Sequence, residues 1–264
     1  MTHEFRRREI DRGGVRLSYL DNDAAGPVIV LLHGLAGTGD EFIATAEAVG
    51  GRYRFILPDL RGHGASTRRP PDLSRAAFVD DVAALLRHVS PGRPVTLAGQ
   101  SMGGHTAILA AAALPDLIER LVVLEATVAG GFDPVALGNW FRSWPLPFAS
   151  ADAARDFLGD DALSRSWVAH LEPAEDGGLV PPFDADAMEE IMTGVAEPQW
   201  ARWRSIRMPV TAVFAPKGKA TSEEQAEFVA ARPGTRHIVL RSGSHDAHLD
   251  ATEEWAEVLR SAAN

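Results

Sequence analysis

Ser101 stands in the pentapeptide Gly99-Gln100-Ser101-Met102-Gly103, with an apolar β-type run at 95–98 before it and a helix-forming run at 106–114 after it. A strand that turns through a serine straight into a helix leaves few folds open, because the turn must be tight and the serine backbone strained. Glycines at 99 and 103 remove the Cβ atoms that would collide there. The hydroxyl is then held at a helix N-terminus, where backbone N–H groups favour a developing anion. That context marks Ser101 as a candidate nucleophile; the bare pentapeptide would be weak support without its flanks.

Other short apolar runs recur along the chain at 28–32, 54–57, 95–98, 121–124, 210–214 and 237–240, each suited to a buried sheet. Helical patterning at 76–88, 106–114, 222–231 and 252–262 separates them. An antiparallel opening pair, 5–9 and 15–21, is expected around Gly13-Gly14. This alternation predicts an α/β fold, a mostly parallel twisted sheet with helices on both faces. At 264 residues and 45% hydrophobic, the chain can bury a full core without disulfide or metal.

A formal charge of −10 repels nucleic-acid backbones and anionic membrane surfaces, and the basic cluster Arg6, Arg7, Arg8 is too short to reverse it. Neither nucleic acid nor membrane is therefore expected as a partner. The chain has no cysteine, which suits a reducing compartment and excludes thiolate chemistry. No apolar signal core or membrane span is evident, so a cytoplasmic protein is expected. Oligomeric state is not readable.

The stretch 131–205 breaks the alternation and divides the core into 1–130 and 206–264. It carries Trp140, Trp144, Trp167, Trp200 and Trp203 among prolines and acidic residues. A long insertion between core strands suits a mostly helical cap over a site, with Trp140, Trp144 and Trp167 as candidate substrate-binding residues. Packing onto the core is the competing expectation for any single ring. Arg142, Arg155, Arg202 and Arg204 read as solvated helix faces that could meet a carboxylate.

Nucleophilic serine needs a base. Among nine histidines, His245 lies just after the last strand-like run, where loops at the carboxyl ends of parallel strands converge. His248, three residues on, is a candidate for a supporting, substrate-facing place. His-x-x-His followed by Asp250 invites a metal reading, but it lacks the glutamate of a zinc helix, so no metal and no cofactor is expected. His33 and His63 are expected to hold loops together, and His105 to be buried structure.

With the serine turn, His33-Gly34-Leu35-Ala36-Gly37, the run 58–66 from Pro58-Asp59 to Ser66, and the late His245, the chain resembles the α/β-hydrolase superfamily. The motifs span most of the core, and the cap contributes nothing to the match. The resemblance implies Ser101 as nucleophile, His245 as its base, and the backbone N–H groups of Leu35 and Met102 as an oxyanion hole. In most relatives the acid of the triad follows the strand that here is 210–214, as Gly-x-x-Asp. Here that loop reads Ala215-Pro216-Lys217-Gly218-Lys219, with no carboxylate before Glu223.

Glu125, at the end of the run 121–124, can supply the anion instead. Haloalkane dehalogenases, zearalenone-type lactonases and cofactor-independent dioxygenases of the fold look similar in taking their acid from this strand. Glu223, Glu224 and Asp246 are rivals, Asp246 disfavoured because adjacent side chains seldom face each other. A serine at 101, where a dehalogenase or epoxide hydrolase of the fold would carry aspartate, forms an acyl-enzyme. The expectation is hydrolysis of a carboxylic ester or lactone of a largely apolar small molecule. The alternatives are a cofactor-independent oxygenase and a non-catalytic small-molecule receptor.

Overall fold

Eight strands form one sheet in the computed structural model, which describes residues 4–175 and 177–264. An antiparallel hairpin, β1 (Arg6–Arg12) and β2 (Val15–Asp21), turns at Gly13 and Gly14. Strands and helices then alternate: β3 (Val28–Leu32), α1 (Ile43–Val49), β4 (Arg54–Pro58), α2 (Arg75–Val89), β5 (Val95–Gln100), α3 (Ser101–Ala113) and β6 (Ile118–Leu124). Next come α4 (Pro134–Arg142), α5 (Ala151–Leu158), α6 (Ala162–Ala169), the short hairpin β7 (Glu172–Pro173) and β8 (Leu179–Val180), α7 (Ala185–Val195) and α8 (Trp200–Ser205). The sheet resumes with β9 (Val210–Phe214), α9 (Ser222–Ala230) and β10 (Arg236–Val239), before α10 (Ala247–Asp250) and α11 (Thr252–Ala262).

The strand order is β1-β2-β4-β3-β5-β6-β9-β10, with β2 antiparallel to both neighbours and every pair from β4 onward parallel. Side chains of β3 alternate between two cores. Val30 and Leu32 join Phe78 and Val82 of α2 and Ile108 of α3, whereas Ile29 and Leu31 join Val49 of α1 and Trp255 and Leu259 of α11. Burial on both faces is why the central strands read as continuous apolar runs rather than as alternating ones. Each such side chain is worth about 1.5–3 kcal/mol when fully buried.

The strands fall where the apolar runs place them, while α3 begins at Ser101 itself, five residues before the helix read from sequence. Gly103 and Gly104 lower helix propensity and mask that first turn. Helix α1 escaped the periodicity reading because it is only seven residues long.

Residues 58–66 act as a clamp. Asp59 accepts from the backbone N–H of Gly39 at 2.8 Å and of Ala65 at 3.0 Å. Two Arg61 donors, Nε and Nη2, hold the two oxygens of Asp81 at 2.6 Å, a buried bidentate pair, while Nη1 donates to Asp72 O. His63 forms a backbone bridge with Phe183, tying this loop to the segment between β6 and β9. Within that segment, helix starts are set by side-chain caps: Asp133, Ser150, Asp161 and Asp184 each accept from a first-turn N–H. No helix among the described residues is long and apolar enough to cross a membrane.

Candidate active site

The turn at Ser101 is as strained as its sequence implies. Ser101 has φ +51°, a left-handed conformation that non-glycine residues adopt rarely. Gly103 lets α3 approach β3, since a Cβ there would collide with the carbonyl oxygens of Leu32 and His33. Ser101 is therefore held at the head of α3, whose first-turn N–H groups lack helical partners.

His245 reaches this turn from the loop after β10. Its Nε2 lies 2.9 Å from Ser101 Oγ and its Nδ1 lies 3.1 Å from Glu125 Oε2. A carboxylate only accepts, so the proton of the neutral ring sits on Nδ1 and Nε2 is free to accept from the serine hydroxyl. The histidine's backbone is also held: Gln100 Nε2 donates to His245 O at 2.8 Å. Gln100 thus joins the serine turn to the histidine loop, a role that the pentapeptide alone did not reveal.

Glu125 follows β6, directly beside β5 in the sheet, and it too has positive φ, +50°. Its Oε1 accepts from Ala215 N at 2.7 Å, and its Oε2 accepts from Lys219 N at 3.0 Å as well as from His245. The loop 215–219, which lacks a carboxylate, is therefore a cradle for one. Gly218 is part of that cradle, because a Cβ there would collide with both carboxylate oxygens. Of the rival acids, Glu224 forms the capping box of α9 with Thr221, and Glu223 is exposed on the same helix. Asp246 Oδ1 lies 3.3 Å from Gln100 Nε2, and burial raises its pKa.

Leu35 lies on a loop pressed against the serine. A Cβ built on Gly34 would stand 3.6 Å from Ser101 Cβ, and Gly37 N donates back to Gly34 O at 3.3 Å, with Ala36 at φ +60° between them. His33 fixes the base of this loop, Nδ1 donating to Gly34 O at 2.7 Å while Nε2 accepts from Leu60 N at 2.9 Å. Burial and this geometry keep the ring neutral, its pKa lowered. Met102 follows Ser101 in the first turn of α3.

A cavity of about 480 Å³ opens on Ser101, Glu125 and His245. Its apolar wall comes from Phe132, Leu137, Met192 and Val195, of the segment between β6 and β9. Trp140, Trp144 and Trp167, expected to form that wall, are not among its lining residues. Their rings pack on one another at centroid distances of 5.4–5.6 Å and on Phe141, with the indole N–H groups of Trp144 and Trp167 buried and unpartnered. His248 does not line the cavity either. It is buried against Phe42, with Nε2 3.4 Å from Glu41 Oε2. Glu41 in turn accepts from Ser166 Oγ of α6 at 3.1 Å; burial opposes its charge, but the His248 contact holds its carboxyl below the usual range.

Arg142, Arg155, Arg202 and Arg204 are exposed, and Arg142 pairs with Asp186 at 2.8 Å. Two further basic residues lie deeper, one of them His105, which is buried as the sequence leads one to expect. His105 lines the cavity, and Arg75 is buried beside it on α2. Neither position carries a periodicity or motif signal, and Arg75 lines a separate pocket with Val79, Asp80 and Gln199 rather than this cavity. Among the described residues, no group of three or more His, Cys, Asp or Glu side chains is disposed to hold a metal ion.

Residues 29–258 match the alpha/beta hydrolase family, and the chain belongs to it. It is similar to 2-(acetamidomethylene)succinate hydrolase of Mesorhizobium japonicum, 26% identical over 250 residues that cover 91% of this chain and 89% of the relative. The crystal structure of E-2-(acetamidomethylene)succinate hydrolase superposes with a TM-score of 0.89 at 23% identity, covering 98% of this chain and 99% of the other. The enol-lactonase of Burkholderia xenovorans LB400 gives 0.77 at 19% identity, covering 96% and 98%. Family and relatives make this chain a hydrolase.

Proposed function

We propose that the protein is a serine hydrolase that cleaves a carboxylic ester or lactone of a small, largely apolar molecule through an acyl-enzyme on Ser101. One observation carries the reading: the continuous path from Ser101 Oγ to His245 Nε2 at 2.9 Å and from His245 Nδ1 to Glu125 at 3.1 Å. In this reading His245 takes the proton of Ser101 as Oγ attacks the carbonyl carbon, and the carbonyl oxygen becomes an oxyanion. The N–H groups of Leu35 and Met102 donate to it, each donor worth about 3–4 kcal/mol in comparable sites. Collapse breaks the acyl–oxygen bond, and His245 gives its proton to the leaving alkoxide. Water then attacks the acyl-enzyme, its proton passing to His245, and the acid and free Ser101 are released.

Glu125 stays ionised throughout and stabilises the imidazolium. Residues 131–205 serve as the cap, with Leu137, Met192 and Val195 against the acyl or ring portion of the substrate. The test is a panel of p-nitrophenyl esters and small lactones, with wild type and Ser101→Ala, and a serine-directed phosphonate followed by peptide mass spectrometry. Turnover should be lost in the variant, and the phosphonate should add its mass to the peptide containing Ser101. Ester hydrolysis that survives in Ser101→Ala refutes the assignment, and substrate-dependent oxygen uptake in its place favours the oxygenase alternative.

A further inference from the structure

Glu41 is a buried carboxylate that the acyl-enzyme chemistry leaves unused. It lies in the short 3₁₀ turn Gly39–Phe42. Its Oε1 accepts from Ser166 Oγ of α6 at 3.1 Å, and its Oε2 lies 3.4 Å from His248 Nε2 of α10. A carboxylate only accepts, so this ring nitrogen carries a proton and donates it. Burying an ionised group is costly unless hydrogen bonds hold it, and here they come from two elements far away in the chain.

The same carboxylate presses on the loop that carries the Leu35 N–H. A Cβ built on Gly37 would stand 2.6 Å from Glu41 Oε2 and 3.1 Å from Oε1. The bond from Gly37 N to Gly34 O closes a turn around Leu35 and Ala36, with Ala36 in its left-handed conformation. Asp59 holds that loop beyond the turn at Gly39 N, His33 holds it before the turn at Gly34 O, and Glu41 bears on it between these anchors. On its other side Glu41 meets His248, three residues after His245, whose ring also packs on Phe42 at a centroid distance of 4.9 Å. One side chain thus spans the loop of the oxyanion donor and the helix that follows the base.

We propose that Glu41 is a positioning residue: packed on Gly37 and bonded to His248, it sets the Leu35 N–H in register with His245 and so with Ser101. The proposal deepens the acyl-enzyme reading and rests on it. Displacing a catalytic group by about 1 Å can cost about 10²-fold in rate, which is the scale on which a lost support of this loop should act.

The test measures kcat and KM on p-nitrophenyl butyrate, per Ser101 titrated with the phosphonate, and the Kd of butylboronic acid by calorimetry. In the boronate adduct Ser101 Oγ bonds to boron, its proton passes to His245, and a tetrahedral oxygen faces the oxyanion donors, so affinity reads their placement without turnover. Glu41→Ala should lower kcat and boronate affinity together, each by about tenfold or more, with KM within about threefold of wild type. Glu41→Gln should stay within about threefold on every measure, its amide oxygen accepting from His248 and its NH2 donating to Ser166 Oγ. Gly37→Ala drives a methyl group into the carboxylate and should lower kcat by about tenfold or more, a loss that should shrink once Glu41 is also alanine. Gly37→Ala alone keeps the proposal falsifiable should Glu41→Ala not fold, since a wild-type kcat there overturns it. Wild-type kcat in Glu41→Ala, a loss confined to KM or to melting temperature, unchanged boronate affinity, or a Glu41→Gln enzyme as slow as Glu41→Ala likewise overturns it, as does wild type that binds no boronate. Failure of wild type to cleave the ester while the boronate still binds would refute the ester reading alone, and the boronate affinities of the variants would then decide the role of Glu41.

Discussion

Replacing Glu125 by glutamine tests the carboxylate whose place in the chain departs from the common pattern. The native side chain accepts from three donors, Ala215 N, Lys219 N and His245 Nδ1. A carboxamide has one accepting oxygen and one donating NH2. If the oxygen faces Ala215, the NH2 meets two donors; if it is flipped, Ala215 N–H loses its acceptor. In the first arrangement His245 also relaxes to the tautomer with its proton on Nε2, which can no longer take the serine proton. Serine-protease triads lose about 10³–10⁴-fold in turnover under the equivalent change, or about 4–5.5 kcal/mol of transition-state stabilisation. One backbone N–H without an acceptor should also remove about 1–3 kcal/mol of stability. The assay is kcat/KM on p-nitrophenyl butyrate at pH 8, alongside thermal unfolding. A Glu125→Gln enzyme within tenfold of wild type, with an unchanged melting curve, would refute the role assigned to Glu125.

Gly218→Ala places a methyl group against both Glu125 oxygens, so kcat should fall by about tenfold or more; a wild-type kcat in steady-state assays would show that the cradle is dispensable. His248→Ala removes one of the hydrogen-bond partners of the buried Glu41 carboxylate and should cost about 1–3 kcal/mol in urea unfolding, as for other buried acceptors left unsatisfied; a loss below about 0.5 kcal/mol contradicts this. His63 and His105 are held by burial at about 3, below the 6.5 of an exposed ring, so the unfolded chain binds more protons in that window. Stability is therefore fully present above pH 6.5 and declines as pH falls toward 3, by about 1.4 kcal/mol per pH unit for each histidine. Urea midpoints that stay level from pH 6.5 to pH 5 would oppose that.

Much of the architecture was legible because burial on both faces writes a strand as a short apolar run, and residues 28–32 and 210–214 match β3 and β9 end to end. Ser101, His245 and Glu125 could be named because each ends or follows a run of that kind, and the fold brings them into hydrogen-bond contact. What the sequence concealed depends on contacts between distant segments. Trp140 and Trp167 carry the composition of a pocket wall, yet pack on one another, while Leu137 and Met192 carry no special signal and line the cavity. Arg75 carries no signal in the sequence, and it is buried by packing against Phe78, Thr106 of α3 and Gly194 of α7.

Ala36, Ser101 and Glu125 share a left-handed backbone although none is glycine, and they sit just beyond β3, β5 and β6, three adjacent strands. Strain of this kind amounts to about 1–3 kcal/mol per residue and is relieved by glycine. A thermostability screen blind to activity would thus be drawn to these three positions. At Ser101 and Glu125 it would erase two members of the proposed triad outright. At Ala36 it would loosen the loop that presents the Leu35 N–H, so variants with higher melting temperatures and slower turnover should accumulate there, and a library that withholds these codons can gain stability without that trade.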